Sequence, residues 1–347
     1  MKALFLAGGM GTRLRPLTDH LPKPMVPIMG VPLLDRIIEE LKSCGVDEIV
    51  LSTCYRADCI ESHFAPEGKH GMKIHCVCEE SPLGTGGAIR NCRKYFDETF
   101  FVFNSDILSN IDLKKLIAFH RAKKPCATIA VTRVDDPSAY GVIEYDAEDM
   151  AVSFTEKPEP GKEKSNFINA GIYVFEPEVL DLIPDGKPVS IEKDTFPLLL
   201  KKKKRIAVYR GNKYWIDIGT PKKYMQAHKD IFDGRCSVKE NNFGSRKIYG
   251  AVGADIHPSA KITGPVWFGK DVHIGANAAI GPNVVVGDGF HGGRGCVVRN
   301  SVIWDGVSTG SGVEIDHSVV TSGCRLESGV QCTGTVYSQE SKLPFED

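Results

Sequence analysis

A six-residue repeat in the C-terminal part of the chain limits the possible fold more than any other feature of the sequence. A large apolar residue recurs at every sixth position, and a small apolar residue precedes it by two positions. The large residues are Ile256, Ile262, Phe268, Ile274, Ile280 and Val286, and the small ones are Ala254, Ala260, Val266, Val272, Ala278 and Val284. Hexapeptide repeats are typical of a parallel β-helix, in which each repeat supplies one short strand and stacked coils share an apolar interior. The sequence therefore predicts a β-helix at residues 248–340.

The repeat loses its phase around residues 290–296 (FHGGRGC) and resumes at Val307. We expect a loop or a slipped coil there. Stacked repeats usually provide a scaffold, so we interpret this region as a structural or oligomerising module. The alternative is an acyltransferase that uses His273, His291 or His317, but no second element of such a site accompanies these histidines.

The residues before the repeat alternate short apolar runs with amphipathic helix patterns. Predicted strands cover residues 2–6, 48–53, 73–78, 100–103 and 127–134, and predicted helices cover residues 33–41, 58–64, 87–96 and 113–123. This alternation predicts a Rossmann-like, mostly parallel sheet with helices on both faces, whose ligands bind beyond the carboxyl ends of the strands. We therefore divide the chain into an α/β domain at 1–234, a linker at 235–247 and the β-helix.

The composition excludes several classes of partner. Lys and Arg number 43 against 44 Asp and Glu, and this balance argues against nucleic-acid or membrane-surface binding. The sequence shows neither a signal peptide nor an apolar run long enough to span a bilayer, and its eleven cysteines never form a CxxC pair. We expect a cytoplasmic protein with reduced thiols and no structural zinc site. The basic run Lys201–Arg205 resembles a targeting or nucleic-acid patch, but we interpret it as a solvated hairpin edge before a strand at Ile206–Tyr209.

A glycine-rich segment, LAGGMGTRLRPLT, follows the first predicted strand directly. Glycines let backbone N–H groups approach phosphate oxygens closely. The segment is neither a GxGxxG dinucleotide fingerprint nor a Walker A motif. Arg13 lies within it, and Lys23 lies in the proline-stiffened PKPM segment, so both add positive charge beside the loop. The sequence therefore predicts a phosphate-binding loop.

Taken together, these two segments resemble the signature of the nucleoside-diphosphate-sugar pyrophosphorylases, the sugar-1-phosphate nucleotidyltransferases. Further segments of that signature follow in order: LGTGG at 83–87, NSD at 104–106, YGVI at 140–143, EKP at 156–158, INAGIY at 168–173 and WIDIG at 215–219. The mannose-1-phosphate guanylyltransferase branch is the most similar, through residues 136–143, 168–173 and 190–197. Several branches of the family also carry a left-handed parallel β-helix, and the resemblance implies a homo-oligomer.

The resemblance implies a reaction in which a sugar 1-phosphate attacks the α-phosphorus of a nucleoside triphosphate and pyrophosphate leaves. Arg13 and Lys23 would hold the triphosphate, Asp106 and Asp217 would share a Mg²⁺ ion, and Lys157 would hold the sugar phosphate. Such chemistry depends mainly on positioning and charge neutralisation.

The resemblance also assigns residues to each substrate. The nucleotide-binding residues would be Leu6, Ala7, Gly8, Gly9, Gly11, Thr12, Arg13, Lys23, Glu79 and Gly84. The residues around the sugar phosphate would be Gly141, Glu156, Lys157, Asn169 and Gly171.

Glu79 lies where family members read the edge of the base. A carboxylate can accept both adjacent donors of guanine, whereas uracil and thymine present one such donor and suit a glutamine better. We therefore favour GTP, although Glu80 could be the reader instead. The Gly86-Gly87 pair departs from the Thr-Ala-Gly run expected in many guanylyltransferases and also resembles heptose-1-phosphate guanylyltransferases.

Three hypotheses follow from these residues. The first is a guanylyltransferase acting on mannose 1-phosphate or a related sugar phosphate such as heptose 1-phosphate. The second is the same chemistry with UTP or dTTP and glucose 1-phosphate. The third is a catalytically silent relative that binds a nucleotide sugar and regulates a partner. Arg13, Lys23, Asp106 and Asp217 are all present, which disfavours the third hypothesis.

Overall fold

The computed structural model describes residues 1–9, 11–53, 56–64, 71–238 and 248–345. Its backbone contacts divide the chain into two compact units. The first, here called the α/β unit, comprises Met1–Met10, Pro22–Pro24 and Leu34–Trp215. The second, the β-helix unit, comprises Gly11–Leu21, Met25–Leu33 and Ile216–Asp347.

Strands and helices alternate through the first two thirds of the chain. The strands are β1 (Lys2–Ala7), β2 (Pro27–Ile28), β3 (Val31–Pro32), β4 (Glu48–Thr53), β5 (Lys73–Cys78), β6 (Phe100–Asn104), β7 (Ile107–Ile111), β8 (Ala127–Arg133), β9 (Gly141–Tyr145), β10 (Ala151–Glu156), β11 (Phe167–Phe175), β12 (Ile206–Tyr209) and β13 (Asn212–Asp217). The α-helices are α1 (Leu33–Ser43), α2 (Ala57–Phe64), α3 (Gly84–Asn91), α4 (Leu113–Lys123), α5 (Phe196–Lys201) and α6 (Pro221–Phe232). Short 3₁₀-helices cover Thr12–Leu14, Lys23–Met25, Arg93–Tyr95 and Pro177–Leu182, and a π-helical turn covers Ile191–Thr195.

In the part of the α/β unit that is described, nine strands form one sheet in the order β10-β9-β11-β6-β1-β4-β5, with β8 beside β11 and β12 beside β8. β1 lies between β4 and β6 and is parallel to both. The Rossmann-like sheet predicted from the alternation is thereby confirmed. Because β1 and β6 run in parallel, the glycine loop after β1 and Ser105-Asp106 after β6 leave the sheet at the same edge.

The described residues of the C-terminal region form a parallel β-helix with three faces, as the repeat predicts. One face holds β14 (Ile248–Gly250), β17 (Val266–Phe268), β20 (Val284–Val286), β23 (Val302–Ile303), β26 (Val319–Val320), β29 (Thr335–Tyr337) and the antiparallel β30 (Lys342–Pro344). The second holds β15 (Asp255–Ile256), β18 (His273–Ile274), β21 (His291–Gly292), β24 (Ser308–Thr309) and β27 (Arg325–Leu326). The third holds β16 (Lys261–Ile262), β19 (Ala279–Ile280), β22 (Val297–Arg299), β25 (Glu314–Asp316) and β28 (Gln331–Thr333).

No loop interrupts the β-helix at the described residues 290–296, but the coil that contains them is one residue shorter than the coils before it. Phe290 and Cys296 are fully buried inside the β-helix, and β21 pairs with β18 and β24. The loss of phase begins in this coil, because Ile280 pairs with Val298, eighteen residues on, whereas Val285 pairs with Val302, seventeen residues on. Val266 pairs with Val284, eighteen residues on, whereas Val302 pairs with Val319, seventeen residues on, and β23 has two residues where β20 has three.

An exchange of large and small side chains explains why residues 290–296 look irregular. Phe290 occupies a position that the repeat gives to a small residue, and Gly292 occupies a position that the repeat gives to a large one. A Cβ atom on Gly292 would lie 3.0 Å from Phe290 Cε1 and 3.1 Å from Cys296 Sγ. The phenylalanine ring therefore fills the space that a larger residue at 292 would occupy.

The hairpin edge expected at Lys201–Arg205 is wrong. Lys201 is the last residue of α5, and the rest of the basic run forms the turn that ends the helix, where Lys203 has a left-handed backbone and the N–H of Lys204 donates to Leu199 O at 3.0 Å. Lysines are favourable at this end of a helix because they face the negative end of its dipole. The following strand, β12, pairs in parallel with β8.

The β-helix unit includes segments from the N-terminal part of the chain. Tyr224 of α6 donates its hydroxyl to Pro27 O at 2.6 Å and accepts a hydrogen bond from Trp304 Nε1 at 2.9 Å. This unit therefore crosses the predicted boundary at residue 234. The ranges 1–234 and 248–340 stay a prediction, and residues 239–247 of the predicted linker lie outside the described residues. Within the described ranges, no helix combines the length and apolar character that a membrane span requires.

Phe290→Ala should lower the free energy of unfolding of the β-helix by about 3–5 kcal/mol, because it leaves a cavity at a closely packed position. The double variant Phe290→Ala/Gly292→Val restores the usual pattern of the repeat and should recover about half of that loss. Thermal unfolding followed by circular dichroism measures both. A double variant that is less stable than the single one would contradict the proposed exchange of volume.

Candidate active site

A cleft of about 330 Å³ opens in the α/β unit at the carboxyl ends of β1 and β6. Its lining contains Leu6, Gly8, Gly9, Lys23, Glu79, Pro82, Gly84, Thr85, Ala88, Asn104, Ser105 and Asp106. Six of these are predicted nucleotide-binding residues, and Asp106 is a predicted metal ligand. Tertiary structure therefore brings these chain segments to one place. Ala7, by contrast, is 2% exposed at the end of β1 and does not line the cleft.

Two polar contacts lie at the carboxyl end of β6. Lys23 Nζ lies 2.9 Å from Asp106 Oδ2, and both side chains are mostly buried, at 14% and 24% exposure. Ser105 Oγ donates to Leu6 O at 2.8 Å. This arrangement places a cation and a carboxylate side by side at the floor of the cleft, where one can meet a phosphate and the other a metal ion.

Asn104 is a cleft residue that the sequence analysis did not select. Its Oδ1 atom is buried and has no hydrogen-bond partner among the described residues. A buried acceptor without a partner is costly in a folded protein, so it is a candidate to bind a ligand. The available signal was its place at the end of a buried strand, immediately before Ser105-Asp106.

Glu79 is 7% exposed, and its carboxylate is held in one orientation. Ser52 Oγ donates to Oε1 at 2.9 Å, and the N–H of Leu83 donates to Oε2 at 3.0 Å. Each carboxylate oxygen can accept a further hydrogen bond, so the group stays able to meet a donor in the cleft. Glu80, the alternative reader, is exposed and does not line the cleft.

Close packing accounts for the Gly86-Gly87 pair. The N–H groups of Gly86 and Gly87 both donate to Val189 O, at 2.8 and 3.2 Å. A Cβ atom on Gly87 would lie 2.7 Å from Lys187 O. The departure from Thr-Ala-Gly therefore follows from backbone contact between α3 and the segment at 187–191.

The predicted sugar-phosphate residues on β9 and β10 lie together. A Cβ atom on Gly141 would lie 2.7 Å from Glu156 Oε2 and 2.7 Å from Phe154 Cζ, so a larger residue would displace these side chains. Burial raises the pKa of Glu156, the charge of Glu192 raises it further, and Lys157 and Lys193 oppose the rise. Lys157 is exposed at the end of β10 and has a left-handed backbone, with φ of 48°.

Asn169 and Gly171 form an irregularity in β11. Asn169 Oδ1 accepts from the N–H of Gly171 at 3.0 Å, and its Nδ2 donates to Tyr173 Oη at 2.8 Å. Gly171 has a φ of 70°, and a Cβ atom there would lie 2.7 Å from Asn104 Nδ2. The side chain of Asn169 thus shapes the strand that faces the cleft residue Asn104.

The β-helix unit holds the other predicted site residues. Gly11 has a φ of 63° and precedes the turn at Thr12–Leu14, in which Thr12 and Arg13 are exposed. The guanidinium of Arg13 lies near Gly219, since a Cβ atom on Gly219 would be 3.7 Å from Nη2. Asp217 forms an ion pair with Lys223 in the first turn of α6. Both predicted metal ligands, Asp106 and Asp217, are therefore paired with a lysine of their own unit.

Two family profiles match the chain. One, described as Nucleotidyl transferase, matches residues 2–234, and the other, described as GMPPB C-terminal domain, matches residues 256–344.

Several known proteins are similar to this chain. The mannose-1-phosphate guanylyltransferase of Mycobacterium tuberculosis is 38% identical over 300 residues, which cover 85% of this chain and 82% of that protein. The probable mannose-1-phosphate guanylyltransferase 3 of Oryza sativa subsp. japonica is 40% identical over 306 residues, which cover 86% and 81%. The crystal structure of HddC from Yersinia pseudotuberculosis complexed with GMP-PN has a TM-score of 0.55 and 35% identity, and covers 65% of this chain and 97% of that one.

Gly171→Ala should destabilise the protein more than Gly161→Ala. Both glycines have a left-handed backbone, but a Cβ atom at 161 meets nothing within 4 Å, whereas one at 171 meets Asn104. We expect backbone strain of about 1–2 kcal/mol in each variant and a further 1–3 kcal/mol from overpacking in Gly171→Ala. Thermal unfolding of the two variants measures the difference. Equal losses of stability would show that the Asn104 side chain moves aside without a measurable cost.

Proposed function

The chain belongs to the nucleotidyl transferase family, and we propose that it transfers GMP from GTP to mannose 1-phosphate, giving GDP-mannose and pyrophosphate. The observation that carries the proposal is the cleft at the ends of β1 and β6. It collects the glycine loop, Lys23, Glu79 and Asp106 in a chain that is 38–40% identical to mannose-1-phosphate guanylyltransferases over most of its length.

In the proposed reaction, an oxygen of the sugar phosphate forms a bond to the α-phosphorus of GTP. The bond from that phosphorus to the oxygen that bridges it to the β-phosphate breaks, and pyrophosphate leaves with the electron pair. Lys23 and Arg13 neutralise the charge of the triphosphate and of the leaving pyrophosphate, and Lys157 holds the attacking phosphate. These roles are positional and electrostatic, so the protein forms no covalent intermediate.

We propose that Asp106 and Asp217 hold a Mg²⁺ ion. The described residues contain no cluster of three His, Cys, Asp or Glu side chains that could hold a metal alone. The two carboxylates of Asp106 and Asp217 fit Mg²⁺, which commonly uses one or two carboxylates together with water and substrate phosphates. When bound, the ion neutralises phosphate charge. Lys23 and Lys223 balance the two carboxylates in the structure described here.

Guanine specificity is assigned to Glu79. Its fixed, buried carboxylate faces the cleft and can accept the two adjacent donors of guanine. We assign Gly141 and Glu156 to the sugar-phosphate pocket, with Asn169 shaping β11. Asn104 Oδ1 is an acceptor in the cleft at the ends of β1 and β6.

We further propose a homo-oligomeric protein of a reducing, cytoplasmic compartment. The β-helix offers stacked faces suited to assembly. The ten cysteines that the structure describes are free thiols, which supports a reducing compartment.

The experiment that tests the function measures pyrophosphate release with Mg²⁺ over a grid of substrates. The grid combines GTP, UTP, dTTP, ATP and CTP with the 1-phosphates of mannose, glucose, fucose, N-acetylglucosamine and heptose. We expect the highest rate with GTP and mannose 1-phosphate. A higher rate with UTP or dTTP and glucose 1-phosphate, or with heptose 1-phosphate, would replace the proposed substrates. No turnover by folded protein would favour a regulatory relative.

Asp106→Asn should lower kcat about a hundredfold or more while the fold is kept, because it removes a carboxylate from the proposed metal site. Asp97→Asn is the matched control, since Asp97 is an exposed aspartate that pairs with Lys2 at 3.5 Å. Steady-state kinetics and circular dichroism are measured on both variants. Near-normal turnover of Asp106→Asn would remove Asp106 from the metal site.

Glu79→Gln should reduce the preference for GTP over UTP, because the amide keeps only one acceptor oxygen for the two guanine donors. The ratio of kcat/KM for the two nucleotides measures the preference, with Glu80→Gln as the control. If Glu80→Gln alters the ratio and Glu79→Gln does not, Glu80 reads the base.

A further inference from the structure

One hydrogen-bond network joins the nucleotide cleft to the π-helical turn at Ile191–Thr195. Thr85, which lines the cleft, donates its hydroxyl to Glu192 Oε2 at 2.7 Å. The N–H of Ile191 donates to Thr85 Oγ1 at 2.9 Å, and Ser190 Oγ donates to Glu192 Oε2 at 2.9 Å. Thr85 and Glu192 are 107 residues apart in the chain, so this contact exists only in the folded protein.

Backbone hydrogen bonds strengthen the same connection. The N–H of Val189 donates to Leu83 O at 2.8 Å, and that of Gly86 donates to Val189 O at 2.8 Å. The start of α3, which carries Gly84 and Thr85, is therefore held to the segment at 189–192 by both backbone and side-chain hydrogen bonds.

Glu192 also influences the sugar-phosphate residues. The π-helical turn that carries Glu192 packs against β10, the strand that ends at Glu156. Burial raises the pKa of Glu156 on β10 and the pKa of Tyr173 on β11, and the negative charge of Glu192 raises both further. Lys157, at the end of β10, and Lys193, in the π-helical turn, lower the pKa of Glu156. Glu192 thus accepts a hydrogen bond from Thr85 at the start of α3, and its charge acts on Glu156, a predicted sugar-phosphate residue.

We propose that Glu192 is a positioning residue that couples the start of α3, at the nucleotide cleft, to the sugar-phosphate pocket. One carboxylate oxygen holds Thr85 in place against the cleft, and the charge sets the electrostatic environment of Glu156. This inference rests on the proposed function, because it assumes that both substrates bind at this site. π-Helical turns are frequent at functional sites, and this one brings Glu192 into hydrogen-bond contact with Thr85 at the cleft.

The first test is steady-state kinetics of Thr85→Val, Thr85→Ser, Glu192→Gln and the double variant Thr85→Val/Glu192→Gln. Thr85→Val and Glu192→Gln should each raise KM for the nucleotide roughly three- to tenfold, the scale of one hydrogen bond to a charged group. Thr85→Ser keeps the hydroxyl and should stay within about twofold of wild type. The double variant should be no worse than the worse single variant, because both changes remove the same contact.

The second test is the pH dependence of kcat/KM for the sugar phosphate. Glu192→Gln removes the negative charge that raises the pKa of Glu156, so that pKa falls and the acid limb of the profile moves to lower pH. Thr85→Val keeps the Glu192 carboxylate and should leave the acid limb in place. A purely structural role for Glu192 would not move the limb.

Thr99→Val is the matched control. Thr99 Oγ1 donates to Glu176 Oε1 at 2.8 Å, which is a threonine–glutamate pair of the same chemistry, and neither residue lines the cleft. This variant should change neither KM nor the pH profile. An equal effect of Thr99→Val, additive effects of the two single variants, or an unmoved acid limb in Glu192→Gln would each overturn the proposal.

The variants are compared with wild type on the substrate pair that wild type uses best in the grid. A wild type that prefers another nucleotide or sugar would overturn the proposed substrates, while the ratios of variant to wild type would still test the coupling. Failure of the two proposals is therefore distinguishable.

Discussion

The parallel pairing of β1 with β6 is the constraint on which the cleft depends. Leu6 and Asn104 are partners in this pairing, so the glycine loop and Ser105-Asp106 emerge side by side. The strands themselves are held by burial, since Leu4 and Val102 have no solvent exposure. A rigid apolar sheet thereby supports polar groups at its edge, where Lys23 and Asp106 meet. Preorganised charge of this kind suits a reaction that depends on positioning.

Backbone contact at glycines is a second constraint on the site. α3 approaches the segment at 187–191 so closely that Gly86 and Gly87 have no room for a side chain. The same approach lets their N–H groups share Val189 O and lets Thr85 reach Glu192. The glycine pair therefore does more than free the backbone, because it lets the start of α3 and the segment at 187–191 come into direct contact.

Inside the β-helix, the total side-chain volume of a coil matters more than which residue stands at each position. Its interior tolerates a phenylalanine at a small position because the neighbouring large position is a glycine, and the total volume stays nearly constant. It also tolerates coils of seventeen and eighteen residues, because a strand can lose one residue while the inward side chains stay stacked.

The sequence by itself determined the α/β alternation, the β-helix, the glycine-rich loop after β1 and most of the residues that line the cleft, because each follows from a local pattern or motif with its own geometry. Only the tertiary structure decided which side chains meet. In the folded protein, Ser52 and the N–H of Leu83 donate to Glu79, and Asn104 Oδ1 has no partner among the described residues. The basic run lies at the end of α5, and Thr85 donates to Glu192. These contacts connect residues from separate elements, and their distances depend on how strands and helices pack rather than on any pattern along the chain.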